Sequence, residues 1–356
     1  MRAFRYLASG LILALVASAC GGGTATPTAS PAPAAATATA VAKQTCQATS
    51  VKVAVPVTPP NVVHLPPYVA QELGYFKDEN LTVELVRFEG GVGALRAMVS
   101  GGVDIAGTST EPVITAISQG VDIKVVQTYS PNISQVFAVR GDVIKTPADL
   151  KGKKIGIQEP GGFADALSRA YLKKLGIDAS KDVQFVTTTT AARVSAMTTG
   201  QVDTGILHVD QVITVKKTAP NISVLANMWE VLPDYQYAVY AVPAAKAAAA
   251  TTECILRALT RADRAMYDPA QRQKILDMAV REMKVDVSTI REAYDTLEKA
   301  KAWPQNEGVV KKNIEGTVAS LVENKQIDKS IAYEQIVDLT LANRIVAQLG
   351  KKDWPY

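Results

Sequence analysis

Histidine is scarce in this chain, with two copies in 356 residues, His64 and His208. An imidazole titrates near neutral pH, ligates metals and serves as a general base, so both positions are candidates for chemistry. Asp210 follows His208 closely, but no serine or cysteine in a nucleophile turn accompanies the pair, so the spacing does not support a catalytic triad. A zinc site would need both histidines and an acid gathered from distant segments, and the three cysteines show no metal-ligand spacing. We therefore expect no catalytic residue, no metal and no cofactor. His64, His208 and Asp210 are read as ligand-binding groups, with a packed core ring as the alternative for each histidine.

Other groups suit the capture of a small molecule. Gly90-Gly91 and Gly161-Gly162 stand at turns from strand to helix, where free N–H groups can hold an anion or a polar ligand atom. The bland alternative is that they satisfy backbone conformations with φ above zero. Thr108 and Ser109, with Thr110, precede a helix marked by Pro112; one of these hydroxyls should cap it, leaving others for a solute. Asn61, Asn132 and Thr188 add neutral hydrogen-bonding groups in similar loops. Phe88, Phe163 and Tyr235, with His64, are flat side chains able to sandwich a planar ring. Basic residues are few there, chiefly Arg87 and Arg193, too sparse for a site built around an inorganic anion. The balance favours an organic, ring-bearing solute.

Alternating strands and helices must position these loops. Val51 to Val57, Thr82 to Phe88, Val103 to Ala106 and Asp122 to Tyr129 read as strands, separated by helical runs such as Pro66 to Leu73 and Pro112 to Ser118. Such alternation implies βαβ units and an α/β sheet. The pattern then restarts: Met98-Val-Ser-Gly-Gly-Val-Asp104 returns as Met197-Thr-Thr-Gly-Gln-Val-Asp203, 99 residues later. Gln135 to Arg140 leaves the first series and Tyr235 to Val242 returns to it; beyond Ala244 the chain reads as almost wholly helical, with a break near Gln326. Two lobes joined by two crossings follow, with a cleft between them.

Composition bounds the remainder. Hydrophobic residues form 47% and charged residues 20%, which suits a globular fold. The net charge of +4 is too small and too scattered for a nucleic-acid surface, so no nucleic acid is expected as partner. Arg2 and Arg5 precede the apolar segment Leu7 to Val16, and Ala17-Ser18-Ala19-Cys20 follows. This resembles a bacterial lipoprotein start: residues 1–19 as signal peptide, Cys20 as the lipid-accepting residue, and anchorage to the cell membrane on its extracytoplasmic face. Residues 20–45, rich in Ala, Thr, Pro and Gly, read as a flexible tether. Cys46 and Cys254 remain; either they pair as a disulfide, as leftover thiols in exported proteins often do, or Cys254 is a buried free thiol.

Three stretches carry a family resemblance: Pro67-Tyr-Val-Ala-Gln-Glu-Leu-Gly-Tyr-Phe-Lys-Asp-Glu79, Ser100-Gly-Gly-Val-Asp-Ile-Ala106, and Thr146-Pro-Ala-Asp-Leu-Lys-Gly-Lys-Lys-Ile-Gly-Ile157. In this order they resemble the solute-binding proteins of ABC importers in the sulfonate, nitrate and thiamine-precursor class. The resemblance implies an α/β fold of two periplasmic-binding-protein-like lobes (type II). Lobe 1 would span 51–136 plus 241–356 and lobe 2 137–240. It also implies a monomer that delivers solute to membrane permease and ATPase subunits and is not an enzyme. Within that class a ring-bearing solute points to vitamins or precursors such as riboflavin or the thiamine pyrimidine. Sulfonates or nitrate are the alternative, and an exported relative of the pyrimidine-synthesis enzymes, which use a Cys-rich motif missing from this sequence, ranks below both.

Overall fold

The computed structural model describes residues 45–355. The expected signal peptide 1–19, Cys20 and the expected tether as far as residue 44 lie outside the described residues. Ten strands follow in order: β1 (Thr49–Val55), β2 (Leu81–Arg87), β3 (Ile105–Ser109), β4 (Ile123–Ser130), β5 (Val136–Arg140), β6 (Lys154–Ile157), β7 (Gln184–Thr187), β8 (Thr204–Leu207), β9 (Ile222–Asn227) and β10 (Ala238–Pro243). They form two five-stranded sheets, ordered β2-β1-β3-β10-β4 and β7-β6-β8-β5-β9.

The two sheets share one plan. In each, a parallel trio at one end (β2-β1-β3 or β7-β6-β8) meets an antiparallel strand and then the opposite edge strand. That antiparallel strand, β10 in one sheet and β5 in the other, is the one that follows a crossing. The seven-residue echo falls at equivalent points. Gly101 and Gly200 end their helices at φ 79° and 77°, the left-handed region that glycine enters at no steric cost. Asp104 then exchanges main-chain bonds with Lys52, its carboxylate accepting from the Lys52 N–H at 2.9 Å; Asp203 does the same with Lys154, also at 2.9 Å. One device thus locks β3 to β1 and β8 to β6.

Apolar periodicity places the later helices. Ala250–Ala265 buries Ile255, Leu256, Ala258, Leu259 and Ala262 along one face, the stripe of a helix lying on a core. Arg272–Met283 and Val287–Lys299 follow. The expected run from Gly308 to Gln348 separates into Lys311–Glu323, a single turn at Tyr333–Ile336, and Thr340–Leu349. The first of these stops where Lys325 takes φ 55°, beside the expected break at Gln326. The run expected from Ala244 becomes a regular helix only at Ala250, after a 3₁₀ turn at Ala244–Lys246. Every residue of β10 paired in the first sheet starts from Ala238, so the division at 240/241 falls within one strand.

Cys46 and Cys254 are joined as a disulfide with Cα atoms 6.4 Å apart, inside the usual range of about 4.4–6.8 Å. Beside it Arg257 is buried and paired with Glu79 (2.8 Å) and Glu253 (3.1 Å), which offsets the cost of removing those charges from water. Among the described residues no helix is long and apolar enough to cross a membrane.

Candidate functional site

The chain passes between the sheets twice, through residues 131–135 and 228–237. The crossings are tied together: the Tyr237 N–H donates to the Pro131 carbonyl (3.1 Å), and the Met228 N–H to that of Gln135 (3.1 Å). A cleft lies between the sheets where parallel strands end and helices begin, the place where such sheets expose their binding crevice. Four helices open there: Gly91–Val99 and Thr110–Ser118 from the first sheet, Phe163–Lys174 and Val209–Thr218 from the second.

A cavity sits inside the cleft. Pro56, Val57, His64, Gly91, Ser109 and Tyr129 line it from the first sheet, Gln158, Glu159, Gly162, Phe163 and His208 from the second, and Tyr237 from a crossing. The walls leave about 30 Å³, room for about one water. His64 and His208 meet edge to face, with ring centroids 5.3 Å apart. The Tyr237 hydroxyl lies 3.1 Å from His64 Nε2, and the Gln135 amide 3.1 Å from His208 Nδ1. Phe163 tilts at 44° over Tyr237 at 4.4 Å. Two polar bonds also cross the cleft: Asn61 Nδ2 donates to Asp210 Oδ2 (2.7 Å), and the Val92 N–H to Glu159 Oε1 (2.8 Å).

Burial sets the charge of these groups. It lowers His64 to about 3, and it lowers His208 well below its ordinary range with help from His64 and Arg193. Both rings are therefore neutral at pH 7, each offering a flat face plus one donor and one acceptor. Burial raises Asp210 to about 6, partly opposed by the bond from Asn61. It also raises Glu111, which faces Ser109 and Tyr235, to about 7. A neutral His–Tyr contact and a neutral His–Gln contact do not activate a nucleophile; they present a polarisable, uncharged surface.

The structure brings together His64, Gly91, Ser109, Gly162, Phe163 and His208 on the cavity, with Asn61 and Asp210 joined across the cleft. Gly90 is buried against the Glu159 carboxylate, and Thr108 donates to the Gly91 carbonyl at 2.9 Å. The remaining expected residues stand elsewhere. Phe88 packs on the first lobe's core, and Asn132 accepts from Asn313 (3.3 Å). Thr188 is buried against Gly156, and Gly161 makes a left-handed turn at φ 74°. The Tyr235 ring, buried beside Glu111, takes no part in the cavity; Tyr237 does. Arg193 is fully buried, with Nη1 donating to the Ile206 carbonyl (2.8 Å), and does not line the cavity. Tyr129, Gln158 and Glu159 also line the cavity, though none is among the expected ligand-binding residues. Tyr129 is the next-to-last residue of β4, and Gln158 and Glu159 follow the end of β6, so position at a strand end is their only signal.

Two lobes of like topology, a double crossing and a cleft at the strand ends define the type II periplasmic-binding-protein-like fold. Over 81% of this chain and 97% of the other, the fold matches the alkanesulfonate-binding protein SsuA from Xanthomonas axonopodis pv. citri bound to MOPS, with a TM-score of 0.66 and 18% identity. The NMT1/THI5-like family matches residues 61–272, and the chain belongs to that family. Among curated proteins it is similar to the putative binding protein YtlA of Bacillus subtilis, 29% identical over 39% of this chain and 43% of that one. It is also similar to a putative thiamine biosynthesis protein of Haemophilus influenzae, 30% identical over 40% and 45% respectively. The chain thus spans less than half the length of these curated relatives.

Proposed function

We propose that this chain is the extracytoplasmic solute-binding component of an ABC importer. It captures a small ring-bearing organic nutrient, best exemplified by riboflavin or a thiamine-type pyrimidine, and presents it to a membrane permease and its ATPase. It acts as a monomer without turnover, with Cys20 as lipid anchor and with two lobes that divide within the crossings 131–135 and 228–237. The observation that carries this reading is the cavity wall: two neutral imidazoles opposite each other, with Phe163, Tyr237 and Tyr129 beside them. Area burial and ring stacking are the strongest attractions such a wall offers. Sites for drug-sized molecules measure about 300–1,000 Å³, so a vitamin enters only when the lobes part and is enclosed as they return. The solute drives closure by binding the closed arrangement better than the open one.

One observation favours a second reading, a sulfonate- or nitrate-type receptor. Arg193 is buried behind His208 with Nε and Nη2 lacking hydrogen-bond partners, a positive charge on the second lobe's side. A thermal-shift series on the full chain separates the two. Riboflavin and aminopyrimidines raise the melting temperature, while taurine and nitrate leave it unchanged; the reverse order establishes the anion receptor. Chemical conversion of any bound compound would refute both.

A further inference from the structure

The glycine-rich helix start at Gly90-Gly91 has a carboxylate of the chain's own already in place. Helix Gly91–Val99 begins at Gly90, whose extended backbone brings no side chain to cap the first N–H groups. The cap comes from the opposite lobe, where Glu159, 67 residues away, accepts the Val92 N–H at 2.8 Å. An N-terminal helical turn favours a negative charge at that point. The backbone is shaped to admit it. A Cβ at Gly90 would lie 2.0 Å from Glu159 Oε1 and 2.6 Å from Cδ, so any side chain there would push the carboxylate out of its place. Ser109 lines the same cavity at 7% exposure, with its hydroxyl turned to the Glu111 carboxyl. On the second lobe the arrangement differs: Asp165 accepts the Gly161 N–H at 2.8 Å from within its own helix and is paired with Arg169 at 2.7 Å.

We propose that Glu159 is a built-in anion of the cleft. Its carboxylate takes the helix N-terminal position that an anionic solute would need, excludes such solutes, and latches the lobes through Val92. The receptor then takes a neutral or cationic ring, which makes Glu159 its specificity-determining residue. This rests on the solute-receptor reading above. A sulfonate entering the occupied subsite would face a fixed negative charge at van der Waals distance in a partly desolvated cleft, where like-charge repulsion is strong.

The test uses the full chain with Glu159→Ala and Glu159→Gln. Ethanesulfonate is the probe for an anion, and riboflavin and 4-amino-2-methylpyrimidine are the neutral probes. In the absence of any probe, hydrogen exchange at the Val92 amide should accelerate about tenfold in Glu159→Ala. The increase should be smaller in Glu159→Gln, whose amide oxygen still accepts that bond. An unchanged rate in both variants overturns the latch. Ethanesulfonate should half-saturate Glu159→Ala at a concentration about tenfold below that for the wild type. An equal response in the two proteins, including none in either, overturns the exclusion of anions. Failure of the receptor reading shows separately, as an absence of response to the neutral probes in the wild type. The Val92 and ethanesulfonate results are independent of that outcome.

Discussion

At the scale of single residues, Glu111 and His64 respond to pH in opposite directions. Burial raises the Glu111 carboxyl from 4.5 to about 7, so its stabilising contribution is complete below about 4.5 and is lost as pH rises through about 7. The shift corresponds to a loss on the order of 3 kcal/mol by pH 8. Glu111→Gln should therefore melt at a higher temperature than the wild type at pH 8, with the difference shrinking towards pH 5. Melting curves across this range decide it, and parallel profiles would remove Glu111 as the cause. The depressed His64 works the other way, losing stability as pH falls from 6.5 towards about 3. For ligand capture, truncation of Phe163 or Tyr237 to Ala should weaken binding of an aromatic solute by about 1–3 kcal/mol. Tyr235→Ala should act on stability alone, because its ring lies beside Glu111. Calorimetric titration of the three variants with riboflavin gives the comparison.

Among the elements, the crossings and the helices that grip them hold the two lobes in register. Helix Lys311–Glu323 runs so close to the segment entering β10 that a Cβ at Gly316 would sit 1.9 Å from the Asp234 carbonyl oxygen. That oxygen is main chain and cannot swing aside, so Gly316→Ala must displace a helix or the strand entry. Overpacking of this kind costs about 1–3 kcal/mol, read as a lower denaturant midpoint with an unchanged slope. A midpoint equal to the wild type would show that the helix shifts freely. Helix Val287–Lys299 reaches the other lobe, where Lys217 Nζ donates to the hydroxyls of Ser288 (3.1 Å) and Thr289 (3.0 Å). The late helical run thus bears on lobe closure as well as on the first sheet.

The whole molecule is stapled once and latched in several places. The Cys46–Cys254 bond closes a loop with a sequence separation of 208, so it strongly restricts the unfolded chain. Cys254→Ser should cost about 2–5 kcal/mol in stability, measured by chemical denaturation, while leaving solute affinity within twofold of the wild type. A large loss of affinity would instead link the staple to the cleft. Closure itself rests on modest contacts, chiefly Asn61–Asp210, Val92–Glu159, Lys217 with Ser288 and Thr289, and the paired aromatic rings. Such a set suits lobes that part and return, because each contact can be exchanged for water at low cost.

Local chemistry made much of this legible before any coordinates. Strand and helix periods, the glycine that must stop each helix, and the Val-Asp start of β3 and β8 depend on neighbours a few residues away, so the linear pattern contains them. The choice of Tyr235 over Tyr237 shows where that reach ends. The run that returns to the first series spans Tyr235 to Val242, yet ladder pairing starts at Ala238, so two-residue alternation does not govern the rings before it. Arg193 stands in the short helix Arg193–Thr198, and the close approach to Gly205 that buries it comes from the sheet. The sequence determined the two α/β series, their crossings and the loops in which ligand groups must lie. Tertiary structure alone decided that His64 meets His208 and that Glu159 caps Gly91–Val99. Such pairings depend on how two separate sheets face each other, a geometry no local repeat encodes.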